Sequence, residues 1–366
     1  MWLVAAVLGA LTLATGLLSP SDAGDVLDRT GPVLLFLVAI TVLAELADAA
    51  GVFDVAARRA ARLARGRTIV LFGLVVLLAS TTTVLLSLDT TAVLVTPVVL
   101  ALAQQLELDP LPFAVTTVWL ANTASLLLPV SNLTNLLALD RLELSTGAYI
   151  GRLAVPALVA IAVTVLVLLA RHWRALTTRY DDPVPAPVED PVLLVGTAIA
   201  CLGLAPALAL ASPAVASAVA ASIAVLLFLW RKRSALQLSL VPWRLVLLVT
   251  GLFLVVAAAG PLGVDDLLHD GIGGSMRTAF ASAAGANVVN NLPAYLAVER
   301  VAPHDQLLPV LVGVNLGPLV TPWASLATLL WAERCRSRGV TISWTRHALA
   351  GAVLVALVLP ATVLVL

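Results

Sequence analysis

The side chains that attract attention are amides and carboxylates in places where neither normally belongs. All seven asparagines, Asn122, Asn132, Asn135, Asn287, Asn290, Asn291 and Asn315, fall in stretches as apolar as a membrane span, not in loops, where asparagine usually serves turns. Residues 285–296 read "GANVVNNLPAYL", three amides beside a proline. In hydrocarbon an amide or a broken main chain costs several kcal/mol unless something satisfies it, so these groups must face protein, water or a solute. The chemistry they suit is hydrogen bonding to a solute or coordination of an ion. Three carboxylates, Glu45, Asp48 and Asp89, lie in or near equally apolar surroundings. An ionisable group at that depth is a functional candidate, because proton uptake relieves an expensive charge. Asp89, in "SLDTTAVLVTP", is the first candidate for proton coupling and Glu45 the second, with Asp48 read as interfacial.

Plain structural roles have to be weighed against this. Asparagine and threonine in membrane helices often tie neighbouring helices together at about 0.6 kcal/mol per bond. Four polar clusters in two matching pairs, each with a helix breaker, argue for more than such ties. A membrane-embedded aspartyl protease would need two catalytic carboxylates, and Asp89 alone is both deep and inside a motif. His172, His269, His304 and His347 lie in or beside loops without metal-ligand spacing and read as solvated, so no metal site is expected. Cys201 falls in an apparent span and Cys335 in a basic loop, which leaves no disulfide or thiol cluster to expect. There is no Gly-rich phosphate loop, hence no nucleotide hydrolysis by this chain and no cofactor beyond a coupling ion. Net charge is zero, which provides no field for nucleic acid.

The elements that must carry these residues are helices in a bilayer. The chain is 61% hydrophobic and 11% charged, with a mean hydropathy of +1.05. Continuous apolar runs argue for helices and against a β-barrel, whose strands alternate. The first run, "MWLVAAVLGALTLATGLL", lacks the basic flank of a signal peptide and reads as a span. Crossings are expected at 2–19, 32–49, 112–138, 150–170, 192–210, 213–230, 244–260, 307–331 and 347–366, within several residues. Segments 69–104 and 276–299 carry polar kinks. The second is too short for two crossings of about 20 residues. If both return to the side they entered, sixteen of the 21 basic residues gather on one side, as the positive-inside rule asks of the cytoplasmic face. The amino terminus is then cytoplasmic and the carboxyl terminus external. The rule does not separate a re-entrant hairpin from two full crossings.

A charged, proline-rich stretch, 172–191, divides the chain into halves 1–171 and 192–366. Across that divide "ANTASLLLPVSNLTNLL" aligns with "VNLGPLVTPWASLATLL" at a constant offset of 193, so that Asn122 meets Asn315, Pro129 meets Pro322 and Leu133 meets Leu326. Each half reads as spans, a hairpin (69–104 or 276–299), then a proline-broken span (112–138 or 307–331). An odd number of crossings between equivalent elements makes the copies inverted, a transporter signature. The fold class expected is therefore an all-α polytopic membrane protein of two inverted-topology repeats, each with a re-entrant hairpin and a broken transmembrane helix.

Four stretches, "LDTTAVLVTPVVLAL", "ANTASLLLPVSNLTNLL", "GANVVNNLPAYL" and "VNLGPLVTPWASLATLLW", resemble the ion transporter superfamily, and most of all its ArsB-type arsenite/antimonite efflux permeases. The resemblance implies a midplane site between hairpins and broken helices, and electrogenic or proton-coupled export of trivalent arsenic and antimony across the cell membrane. Related branches are divalent-anion/sodium symporters and sodium/proton antiporters, which keep Na⁺ open as the coupling ion. The symporters carry Ser-Asn-Thr at the hairpin tips, where this chain has Leu88-Asp89-Thr90 and Val289-Asn290-Asn291. A carboxylate there repels a bound anion by about 1 to 4 kcal/mol, whereas a neutral hydroxylated solute suits amides and hydroxyls. Asp89, Thr90, Thr91, Asn122, Thr123 and Ser125 form one expected half-site, edged by Ser131 and Asn132. Asn287, Asn290, Asn291, Asn315, Thr321 and Ser325 form the other. Beyond lipid and a small inorganic solute, partners stay open, including an ATPase on the basic loops and the oligomeric state.

Overall fold

The computed structural model describes residues 2–181, 188–259, 268–269 and 271–366. The middle of the expected linker (182–187), the last residue of the 244–260 crossing and most of the acidic loop after it lie outside the described residues. Helices α1 (Trp2–Ala14), α2 (Pro20–Ala49), α3 (Val52–Leu63), α4 (Thr68–Leu85) and α5 (Leu88–Gln105) open the chain. Then come α6 (Pro110–Thr123), α7 (Leu133–Arg141) and α8 (Thr146–Leu176). The second half holds α9 (Pro191–Ala207), α10 (Pro213–Arg231), α11 (Trp243–Ala259), α12 (Ser275–Val289), α13 (Asn291–Val301), α14 (Leu307–Leu316), α15 (Leu326–Ser337) and α16 (Trp344–Val363). Among the described residues, seven helical segments are long and apolar enough to cross a bilayer, including α4 and α5.

Local chemistry explains where the helices stop. α2 begins twelve residues before the apolar run at 32, because Ser19 caps it and accepts from Asp22 N at 3.1 Å; the polar first turns are invisible to a search for greasy spans. The two expected broken helices are broken. Leu128, Pro129 and Asn132 interrupt α6–α7, and a turn-rich stretch between Leu316 and Leu326 interrupts α14–α15. In α5 the backbone widens to a π-turn over Thr91–Val95. Pro97 cannot donate to residue 93, and the wider turn accommodates it; Thr96 Oγ1 donates to Thr91 O at 3.2 Å beside it.

The leading pieces of the two broken helices, α6 and α14, lie in the core. Every residue of α6 from Pro112 to Thr123 is buried, as is Val310 to Leu316 in α14, the pattern of a helix surrounded by protein. α4 and α8 pack on α6, and α12 and α16 pack on α14. Close approach of α12 to α14 depends on Gly313 and Gly317, four apart, facing Ala279 and Ala283; a Cβ on Gly317 would lie 2.6 Å from the Ala283 Cα. α1 crosses α11 equally tightly, with a Gly9 Cβ position 2.9 Å from the Gly251 Cα.

Arm lengths differ between the hairpins. α4 and α5 have 18 residues each, about 27 Å. α12 and α13 have 15 and 11, about 22 and 16 Å, short of the ~30 Å layer. Three readings of side chains need correction: the first is His172, which lies within α8, half-buried and with its Nε2 enclosed. His347 is 6% exposed within α16, stacked near Trp331 (ring centroids 5.4 Å apart), and Cys335 is fully buried in α15. The helical turn of α15 sends Arg334 and Arg336 outward and Cys335 inward. Residues 177–181 dock rather than hang free: Tyr180 Oη donates to Ala61 O at 2.7 Å, and Tyr180 N to Gly66 O at 3.1 Å.

Candidate transport site

Four helix amino termini meet near the centre of the molecule, and each is capped by a short polar side chain. Ser87 accepts from Thr90 N (3.1 Å) to start α5, and Asn132 accepts from Thr134 N (3.3 Å) to start α7. Asn290 accepts from Leu292 N (3.3 Å) for α13, and Ser325 from Thr328 N (3.2 Å) for α15. Such ends carry unpaired N–H groups and about half a positive charge each. Serine and asparagine satisfy one donor apiece, leaving the rest for a ligand.

Two cavities adjoin these ends. The larger, about 340 Å³, lies between Leu88, Asp89, Asn132, Asn290 and Asn291 on one side and the α1–α11 pair on the other. The smaller, about 120 Å³, runs from Ser87, Asp89, Thr90 and Asn132 to Thr41 and Glu45 on α2. Asp89 and Asn132 border both. Asp89 sits in the first turn of α5, where the helix dipole favours a carboxylate. Its Oδ1 is enclosed and has no hydrogen-bond partner.

Of the fourteen binding residues expected from sequence, Asp89, Thr90, Asn132, Asn290 and Asn291 line the cavities, as does Glu45. The other nine sit behind the walls and hold them together. Thr91 Oγ1 pairs with Thr83 Oγ1 inside the first hairpin (2.8 Å), and Thr123 with Thr164 on α8 (3.0 Å). Ser125 Oγ donates to Asn122 O (2.7 Å), while Asn122 Nδ2 donates to Val118 O (2.9 Å) and its Oδ1 is buried without a partner. Asn287 Nδ2 donates to Gly317 O (2.7 Å), and its Oδ1 receives Thr321 N (3.0 Å), so this amide replaces main-chain bonds lost at the break.

The tips are fastened to the breaks. Ser131 Oγ donates to Val84 O at 2.9 Å in the first half. In the second, Asn290 Nδ2 donates to Trp323 O (2.9 Å) and Asn291 N to Ala324 O (2.8 Å). These bonds hold Asn290 at φ +102°, ψ 153°, a conformation that costs a non-glycine residue about 1–3 kcal/mol.

The halves are joined by an amide network that sequence reasoning placed only in part. Asn315 Oδ1 accepts from Asn132 Nδ2 and Thr134 Oγ1, both at 2.8 Å, and Asn315 Nδ2 donates to Asn135 Oδ1 at 2.6 Å. Asn135 Nδ2 in turn donates to Ser125 O and Leu128 O. Thr134, Asn135, Ser87 and the α1–α11 wall were absent from the expected site. The available signal was the pair of amides at the start of an apolar run, Asn132 at the cap of α7 and Asn135 in its first turn.

Comparison with known proteins agrees with this architecture. A family model described as citrate transporter (CitMHS) matches residues 1–328. The arsenical pump membrane protein of Escherichia coli K12 is 30% identical over 374 residues, covering 93% of this chain and 87% of the relative. That of Yersinia enterocolitica is 29% identical over 377 residues, with 93% and 87% covered. The crystal structure of the Alcanivorax borkumensis YdaH transporter has the same fold, at a TM-score of 0.60 and 15% identity, covering 99% of this chain and 94% of that one. The chain therefore belongs to the CitMHS citrate-transporter family, together with the arsenical pump membrane proteins, and is a multi-pass membrane transporter rather than an enzyme.

Proposed function

We propose that this transporter exports trivalent arsenic and antimony, as their uncharged hydroxides, in exchange for protons. The observation that carries the reading is the unpartnered Asp89 Oδ1 at the junction of two cavities, between helix ends that offer N–H donors. A trihydroxide can donate to the Asp89 carboxylate and accept from amide and hydroxyl groups of Thr90, Asn132, Asn290 and Asn291. Its hydroxyls then occupy the place of the Asp89 proton. Binding on the inner side releases that proton inward, and departure on the outer side lets Asp89 take one from outside. The cycle moves solute out and a proton in. Neither Cys201 nor Cys335 lines either of these two cavities, so hydroxyl recognition, not thiol ligation, is the chemistry proposed. The arsenical-pump relatives support the substrate class.

In this reading the halves are inverted repeats that alternate access around the site, with the amino terminus cytoplasmic and the carboxyl terminus external. The 193-residue offset supports it: α14 packs on α7 near Asn315, and α6, which carries Asn122, packs on α15. The short arms of the second hairpin support re-entry there. Glu45, at the far end of the smaller cavity, is the proposed relay to the cytoplasm.

A second reading, a sodium-coupled carboxylate carrier, is favoured by the family description and by the positive helix ends. Everted vesicles separate the two. Arsenite accumulation should follow an imposed pH gradient, persist when potassium replaces sodium, and resist competition by citrate. Asp89→Asn should remove the gradient dependence in a protein that still elutes as a single folded species. Sodium-dependent flux, or gradient dependence unchanged in Asp89→Asn, would overturn the proposal.

A further inference from the structure

Away from the transport cavities, a pocket of about 140 Å³ lies between the start of α6, the end of α8 and the start of α16. Its polar lining consists chiefly of nitrogen-bearing side chains, Trp119, Arg171, His172, Arg346 and His347, with Thr341 and with Ser343 at the cap of α16. Trp119 is fully buried and His347 is 6% exposed, yet Trp119 Nε1 and His347 Nε2 have no hydrogen-bond partner, and neither does His172 Nε2. An indole N–H can only donate, and a guanidinium carries five donors and no acceptor. Neither Arg171 nor Arg346 is paired with an acid among the described residues. Asp109, the acidic group that acts on His172, is already engaged as the cap of α6, with Leu111 N at 3.0 Å. The 20-residue α16 adds its positive end. A buried indole donor without an acceptor, two exposed guanidinia without an acid partner among the described residues and a helix amino terminus all call for the same ligand, an oxyanion.

We propose that this pocket binds a phosphate group. The position favours the headgroup of an anionic phospholipid. Arg346 lies on one face of α16 with Leu349, Val353 and Leu357, which are 66%, 57% and 50% exposed and offer a track for acyl chains. The same donors would accept inorganic phosphate.

Native mass spectrometry of the full chain in uncharged detergent tests this with phosphatidylglycerol, phosphatidylcholine and inorganic phosphate as probes. One phosphatidylglycerol per chain should be retained over phosphatidylcholine, and both Arg171→Gln/Arg346→Gln and Trp119→Phe should weaken retention, the former at least tenfold. If inorganic phosphate binds and displaces the lipid, the source is the free anion; if the lipid persists in excess phosphate, it is the headgroup. Arg171→Lys/Arg346→Lys, which keeps the charge but loses the planar fork, guards against misfolding and should fall between wild type and the Gln variant. Absence of selective binding by either probe, or equal retention by wild type, Trp119→Phe and the arginine variants, would overturn the proposal and leave the pocket to water.

Discussion

Asn315 is the residue through which the two halves communicate most directly, and its removal has a calculable effect. Asn315→Ala deletes three bonds, from Asn132 Nδ2, from Thr134 Oγ1 and to Asn135 Oδ1. At about 0.6 kcal/mol per interhelical bond the loss is about 2 kcal/mol. If the space stays dry and each orphaned group bears its own desolvation penalty, the loss approaches about 6 kcal/mol. Asn315→Asp should be nearly as damaging while ionised, because its second oxygen would face Asn135 Oδ1. Asn135 cannot turn its amide round without losing its bonds to Ser125 O (2.6 Å) and Leu128 O (2.9 Å). The assay is reversible unfolding in mixed micelles followed by tryptophan fluorescence, run as a double-mutant cycle with Asn135→Ala so that the pairwise part is isolated. A coupling of at least about 0.5 kcal/mol is expected. A loss below about 0.3 kcal/mol in Asn315→Ala, with no coupling to Asn135, would refute the claim that this network joins the halves.

Two further outcomes follow from packing and charge. Gly317→Ala should destabilise the chain by about 1–3 kcal/mol, since its Cβ would overlap Ala283, whereas Gly285→Ala, whose Cβ would meet Ala294 at an ordinary 3.7 Å, should be neutral or better; unfolding midpoints in detergent decide, and equal effects would contradict the close-approach argument. At the surface, Arg231 hydrogen-bonds Asp190 at 3.0 Å and, with the Leu193 and Val192 N–H groups, holds its carboxyl below the ordinary value. A depressed value means that the stabilisation is present above the usual pKa of about 3.9 and disappears as pH falls through the lower folded value. The difference in melting temperature between wild type and Asp190→Asn should thus hold down to about pH 5 and shrink as pH falls below about 3.9, and a constant difference would count against the bond.

Much of the architecture was written in local chemistry. Pro129 and Pro322, each followed by a polar cap and an apolar run, located both breaks, and "SLDTTA" and "VVNNLP" located both tips. Asp89, Asn132, Asn290 and Asn291 were legible as cavity residues because a polar side chain at a helix start deep in an apolar chain has few other uses. The rest depended on contacts with no local trace. Asn132 and Asn315 are 183 residues apart, and the alignment of their two segments pairs Asn315 with Asn122, not with the Asn132 that it bonds. Asn287 and Thr321 have the composition of a binding site but complete each other's hydrogen bonds. The wall built by α1 and α11 is purely apolar, so only the Gly9–Gly251 crossing distinguishes it from any pair of spans. His347 was misjudged because an apolar helix that begins among basic residues looks like a loop until its turn is known.

The bonds between tips and breaks also bear on how the molecule can move. Asn290 and Asn291 latch the second tip to Trp323 and Ala324, and Asn287 clamps the strand of chain just beyond Gly317, so tip and break travel as one piece. Among the described residues the first tip has a single such latch, Ser131 to Val84. Independent flapping of the second tip would have to undo several bonds at once. In the proposed cycle a gate on that side swings as a block against α1 and α11, and a looser, flap-like opening belongs to the Asp89 side.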